Sequence, residues 1–99
     1  MNNTTVLTTG PLTGIGRATA LAFAHEGARV VVSGRHGDEG QKLATELRKS
    51  GTEAEFVRTD VRHEEEVKNL VDKTIARFGR LDIAVNNAAP WATPVRLPM

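Results

Sequence analysis

Cysteine and tyrosine are both absent from this sequence, and so are long apolar runs. Without cysteine the chain can form no disulfide and offers no thiolate to a metal, which fits a reducing cytosol. No apolar stretch approaches the ~20 residues of a membrane-spanning helix. Met1-Asn2-Asn3-Thr4-Thr5 lacks the charged segment and apolar core of a signal peptide. The expected location is therefore the cytoplasm. A formal net charge of +1 gives no basic surface for nucleic acid or membrane, so neither partner is expected. His25, His36 and His63 fall on different segments, which argues against a metal site.

What remains is an ordinary globular balance, 39% hydrophobic and 25% charged, in 99 residues. That length makes one small domain of marginal stability. Short apolar runs alternate with longer amphipathic ones. Thr4–Thr8 reads as a short extended run, followed by a Gly-, Pro- and Thr-rich turn over Thr9–Gly14. Ile15, Ala18, Leu21 and Ala22 then recur at helical spacing, and Gly27 stands where a left-handed cap is expected.

Arg29–Ser33 contains consecutive valines, the mark of a strand buried on both faces. A loop over Gly34-Arg35-His36-Gly37 leads to a second helix with Leu43, Ala44 and Leu47 on one face, closed by Ser50-Gly51. Ala54–Arg58 reads as a third strand. Val67, Leu70, Val71, Ile75 and Phe78 line a third helix ended by Gly79, and Leu81–Val85 makes a fourth strand. Glu64-Glu65-Glu66 reads as a solvated helix start that suits the dipole.

Strands separated by helices imply an α/β fold with a parallel sheet and right-handed crossovers. Residues 1–89 form this unit. Residues 90–99, punctuated by Pro90, Pro94 and Pro98, read as an irregular tail, and Trp91 within it is assigned no role.

The strongest local signal is Thr9-Gly10-Pro11-Leu12-Thr13-Gly14-Ile15-Gly16, placed between a predicted strand and a predicted helix. Gly10 permits a tight turn, Gly14 lets backbone approach a pyrophosphate, and Gly16 lets the helix lie close on the sheet. The helix N-terminus adds unpaired N–H groups and partial positive charge for phosphate. Pro11 has no N–H to offer a phosphate, which would lower affinity if that amide is used.

The spacing Gly-x-x-x-Gly-x-Gly after Thr9, together with Asp60-Val61 after the third strand and Asn86-Asn87-Ala88-Ala89 after the fourth, resembles the short-chain dehydrogenase/reductase family over residues 4–89. Ala89 replaces the glycine of the family's Asn-Asn-Ala-Gly. The resemblance implies a Rossmann-like sheet of order 3-2-1-4 with three helices, an incomplete doubly wound fold. It also implies a dinucleotide held by Gly10 to Gly16, including Pro11, Leu12, Thr13 and Ile15. Asp60 and Val61 would contact adenine, while Asn86, Asn87, Ala88 and Ala89 would line the cofactor site. Asp60 also reads as a residue opening the third helix, and the asparagines as turn formers.

A ribose-binding acid is expected about 20 residues beyond the glycine turn, at the end of the second strand. Gly34 stands there, and Arg35 follows. An arginine without an acid favours the 2′-phosphate of NADP, so NADP(H) is favoured over NAD(H). Arg35 also reads as a solvated loop residue. Thr13 occupies a position that is often basic in NADP-preferring relatives, and Arg17 reads equally as a surface residue or a phosphate ligand.

The family reaction is hydride transfer between nicotinamide and a carbonyl or alcohol carbon. Its proton-transferring tyrosine, the lysine four residues on, a serine and a further asparagine all follow the Asn-Asn-Ala-Gly motif. With no tyrosine here, Tyr-x-x-x-Lys cannot occur. The chain alone is therefore expected to bind and not to turn over, as a truncated or frame-shifted oxidoreductase. A nucleotide-sensing or sheet-capping module and a folded relic are the alternatives. A fourth strand open at its edge is expected to drive self-association or pairing with a complementary chain.

Overall fold

A computed structural model describes residues 4–10, 14–35, 37–60 and 62–86, with backbone alone for Ile15 and Asn86. The expected alternation is observed: β1 (Thr5–Thr9), α1 (Ile15–His25), β2 (Arg29–Gly34), α2 (Gly37–Lys49), β3 (Ala54–Arg58), α3 (Glu64–Phe78) and β4 (Ile83–Asn86). The strands form one sheet in the order β3-β2-β1-β4, with every pairing parallel. The fold is α/β and Rossmann-like, as the resemblance implied.

The valines of β2 show why this sheet needs helices on both sides. Val30 and Val32 join Ala20, Leu43, Ala44, Leu47 and Ala54 in a core under α1 and α2. Val31 points the other way and packs with Leu7, Leu70 and Leu81 under α3. Alternation along a strand sends neighbours to opposite faces, so an unbroken apolar run is stable only where both faces are covered. Burying one such side chain contributes roughly 1.5–3 kcal/mol.

Several boundaries and faces differ from expectation. β1 runs one residue later than Thr4–Thr8, and Gly34 belongs to β2 while Gly37 opens α2, which shortens the loop between them. Of the residues expected at helical spacing in α1, Leu21 packs on the core with Phe23 and Ala24, whereas Ala18 and Ala22 are exposed and Gly16 and Ala20 are buried instead; the side chain of Ile15 lies outside the described residues. In an alanine-rich helix every face looks apolar, so spacing alone does not select the inner one.

In α3, Ile75 is 45% exposed and Thr74 is only 1% exposed. The Thr74 hydroxyl donates to the Leu70 carbonyl at 2.8 Å, which satisfies it inside the helix and lets it face inward. Leu81 is buried but lies ahead of β4, which begins at Ile83. Gly27 and Gly79 leave α1 and α3 at positive φ, 86° and 81°, in agreement with expectation.

Candidate functional site

In a parallel sheet all strands end on the same side, so the register decides what meets there. Thr9 lies opposite Ser33 on β2 and Asn86 on β4, and Gly34 lies opposite Arg58 on β3. The C-terminal edge therefore brings together Gly10, Arg35, Asp60 and Asn86 at the four strand ends, beside the start of α1. Ligands of open parallel sheets bind at this edge, where the strand order reverses on the two sides of β1. Of the expected site residues, Pro11, Leu12, Thr13, Val61, Asn87, Ala88 and Ala89 lie outside the described residues, and Ile15 and Asn86 are described in backbone only.

Two glycines flank the segment between β1 and α1. Gly10 has φ 103° and Gly14 has φ 56°. Both values lie where an L side chain is strained, so the turn depends on glycine at these two positions. Gly14 is the N-cap of α1 and makes no side-chain capping hydrogen bond, and Gly16 is buried. The first turn of α1 contains no acidic residue. The other two helices differ, with Asp38 and Glu39 in the first turn of α2, and Glu64, Glu65 and Glu66 in that of α3. Carboxylates at a helix start neutralise its positive end. Among the described helices, α1 alone has no carboxylate in its first turn.

The side chains around this edge divide by what already holds them. Arg17, in the first turn of α1, pairs with Glu46 of α2 at 2.6 Å, so its guanidinium is engaged between helices. Asp60 is gripped by Arg62: Nε donates at 3.0 Å and 3.2 Å, Nη2 at 2.7 Å, and the Arg62 backbone amide at 3.0 Å. The side-chain hydrogen bonds from Arg62 hold the Asp60 carboxyl far below the usual carboxylate range, with the Arg62 amide adding to the effect. The Asp60 amide donates to Glu66 Oε1 at 3.1 Å. Asp60 thus organises the loop that opens α3, in keeping with the helix-opening reading of this residue.

Arg35 is exposed just beyond β2, and its carbonyl accepts a hydrogen bond from Arg58 Nε at 3.2 Å. Gly34, at the position expected of a ribose-binding acid, is buried and brings no carboxylate to the edge. Two contacts tie this edge together beneath the site. The buried Ser33 hydroxyl donates to the Thr8 carbonyl at 2.8 Å, and the Thr9 hydroxyl donates to the Val85 carbonyl at 3.5 Å.

Arg58 and Arg62 join this edge without having been expected there from the sequence. Arg58 ends an extended run, and only the register to Gly34 puts it beside Arg35. Arg62 follows Asp60 at a two-residue interval, the spacing of an Asx turn, which was a usable signal.

Among the described residues no helix is long and apolar enough to cross a membrane, and no group of three His, Cys, Asp or Glu residues is placed to hold a metal ion.

The family model described as short chain dehydrogenase matches residues 4–96. A tropinone reductase-like 2 protein of Erythroxylum coca is 50% identical over 80 residues, covering 81% of this chain and 28% of its own length. A 3beta-hydroxysteroid dehydrogenase of Mediterraneibacter gnavus is 41% identical over 83 residues, covering 84% of this chain and 30% of its own.

Among solved structures, a hydroxysteroid dehydrogenase from Escherichia coli superposes with a TM-score of 0.82 at 35% identity, covering 86% of this chain and 35% of that one. An actinorhodin polyketide ketoreductase with NADPH gives a TM-score of 0.80 at 37% identity, covering 85% and 32%. The chain thus spans only 28% to 35% of the length of these relatives.

Proposed function

Because this chain belongs to the short-chain dehydrogenase family, we propose that it forms a nucleotide-binding unit that holds NADP(H) in preference to NAD(H) at the C-terminal edge of its sheet. The observation that carries the reading is the start of α1, framed by Gly10 and Gly14 at positive φ and free of acids in its first turn. Such an end fits a pyrophosphate, which takes up amide donors and partial positive charge without a clash from a side chain. Gly10 to Gly16 would hold the diphosphate, and Arg35 a 2′-phosphate. Asp60, Val61 and Asn86 to Ala89 would line the adenine and ribose side.

Gly34 supports the preference for NADP(H). A carboxylate there would accept the ribose hydroxyls of NAD and repel a 2′-phosphate, and glycine does neither. When bound, the nicotinamide would supply hydride chemistry. This sequence contributes binding and orientation to it and has no tyrosine to move the accompanying proton. We therefore read these 99 residues as a cytoplasmic binding unit that does not turn over substrate by itself.

The test is a titration of the chain with NADPH and NADH, followed by nicotinamide fluorescence. The reading expects NADPH to bind about tenfold tighter or better, the effect of one well-placed charge-assisted contact. Equal affinity would remove the NADP(H) preference, and absence of binding to both would remove the reading.

A second property of the chain follows from β4, which pairs with β1 alone among the described strands. The opposite edge, β3, is overlaid by charge. Arg48 donates to the Ala54 carbonyl at 2.8 Å, and Arg48 and Arg77 both reach Glu55, each at 3.2 Å. Charge guards an edge against pairing. β4 offers Ile83-Ala84-Val85, half-buried and without charge. We propose that association with a second copy or a complementary chain proceeds through β4. Sedimentation at high concentration checks this, and a monodisperse monomer would contradict it.

A further inference from the structure

Every described arginine but two is matched to a carboxylate at 2.6–3.2 Å. The two without such a partner among the described residues, Arg35 and Arg58, are neighbours. They leave adjacent strand ends, β2 and β3, where Gly34 pairs with Arg58 and the Thr59 amide donates to the Gly34 carbonyl at 2.9 Å. Arg58 Nε donates to the Arg35 carbonyl at 3.2 Å, which brings its guanidinium alongside the Arg35 backbone. Both side chains are exposed.

Two cations set side by side without a counter-charge repel each other, and a small domain gains nothing in stability from leaving them so. The acids close to them in sequence are engaged elsewhere. Asp60 is closed by Arg62, which leaves no net charge there to neutralise Arg58. Asp38 and Glu39 sit in the first turn of α2, where they complement its dipole. A dianionic phosphate satisfies this arrangement, because each guanidinium presents a planar fork of donors to it.

We propose that Arg58 is a second specificity-determining residue for the nucleotide, forming with Arg35 a two-guanidinium clamp for the 2′-phosphate. The inference rests on the reading that a dinucleotide occupies the C-terminal edge of the sheet, and adds to it a residue on β3 that the glycine-turn motif does not include. One of the five guanidinium donors of Arg58 fixes the Arg35 backbone, and its remaining donors serve the phosphate. Arg58 thereby acts both on the ligand and on the placement of its partner.

The test compares Arg58→Met, Arg58→Gln and Arg58→Lys with the unaltered chain, measuring affinity for NADPH and NADH by nicotinamide fluorescence. Thermal unfolding without nucleotide checks that each variant folds. Arg58→Met is expected to weaken NADPH roughly tenfold and leave NADH unchanged, the signature of one lost charge-assisted contact. Arg58→Gln keeps a donor for the Arg35 carbonyl and loses the charge, so it should lose NADPH affinity as Met does. Arg58→Lys keeps the charge without the fork and should recover part of it.

Retention of NADPH affinity in Arg58→Gln would reduce Arg58 to a prop for the loop and overturn the clamp. Equal losses for both nucleotides would overturn it too. An unaltered chain with no NADPH preference would overturn the underlying reading along with it, whereas a preference that survives Arg58→Met would overturn the clamp alone.

Discussion

The backbone amide of Thr5 donates to Asp82 Oδ2 at 2.9 Å, so the first residue of β1 is held by a carboxylate that precedes β4. Arg80 grips the same carboxylate with Nε at 2.9 Å and 3.1 Å and Nη2 at 2.6 Å. The two ends of the sheet are therefore unlike. The N-terminal end is closed by a neutralised carboxylate, and the C-terminal end presents the acid-free start of α1 with Arg35 and Arg58.

This closure makes stability depend on pH. The hydrogen bonds from Arg80, followed by that from the Thr5 amide, hold the Asp82 carboxyl below its ordinary value. A carboxyl depressed in the folded state adds stability that is complete above the unfolded value, about pH 4, and is lost as pH falls through the lowered folded value. Asp82→Asn should be less stable than the unaltered chain near neutrality, and the two should converge on acidification. Urea midpoints between neutral and acid pH check this, and a gap independent of pH would contradict it.

The Asp60–Arg62 pair can be followed through the titration of the carboxyl itself. Arg62→Met removes the main cause that keeps the Asp60 carboxyl low. Its midpoint, followed by carboxyl NMR, should rise towards the ordinary aspartate value. A midpoint unmoved by the substitution would mean that another group holds it.

Gly40 in α2 has no room for a side chain. A Cβ built there falls within the Phe56 ring of β3. Helix propensity alone favours alanine by about 1 kcal/mol, but overpacking costs ~1–3 kcal/mol. Gly40→Ala should therefore be destabilised overall, and Gly40→Ala combined with Phe56→Leu should recover stability. Chemical denaturation of the single and double variants measures both.

The Thr8 hydroxyl is buried in β1 without a hydrogen-bond partner among the described residues. Replacing an unsatisfied buried hydroxyl by a methyl group of similar shape removes a desolvation penalty of about 1 kcal/mol or more. Thr8→Val should raise the melting temperature by ~4–8 °C, the shift that such an energy gives in a domain of this size. A lower melting temperature would show that the hydroxyl is satisfied.

The elements were legible in the sequence because their signals are local. The valines of β2 announce a doubly covered strand, and Ala54–Arg58 is bounded as its β-branched and aromatic content suggests. The inner face of α1 was legible only at Gly16 and Leu21, since alanines surround that helix and the buried Ala20 reads no differently from the exposed Ala18 and Ala22. Nor was the inward turn of Thr74, because a threonine reads as polar until its hydroxyl finds the Leu70 carbonyl. At the sheet edge, the places of Gly10, Gly14 and Arg35 between elements could be read from spacing. The partnership of Arg35 with Arg58 depends on the β2–β3 register, which joins residues far apart in the chain and leaves no local trace.

Whether a nucleotide meets the sheet at the start of α1 is tested most directly by amide chemical-shift mapping with NADPH. The largest shifts are expected on Gly10, Gly14 to Ala18 and Arg35, with weak or no shifts around Thr5 and Asp82. Shifts centred on the Thr5–Asp82 end, or no shifts at a saturating NADPH concentration, would contradict it.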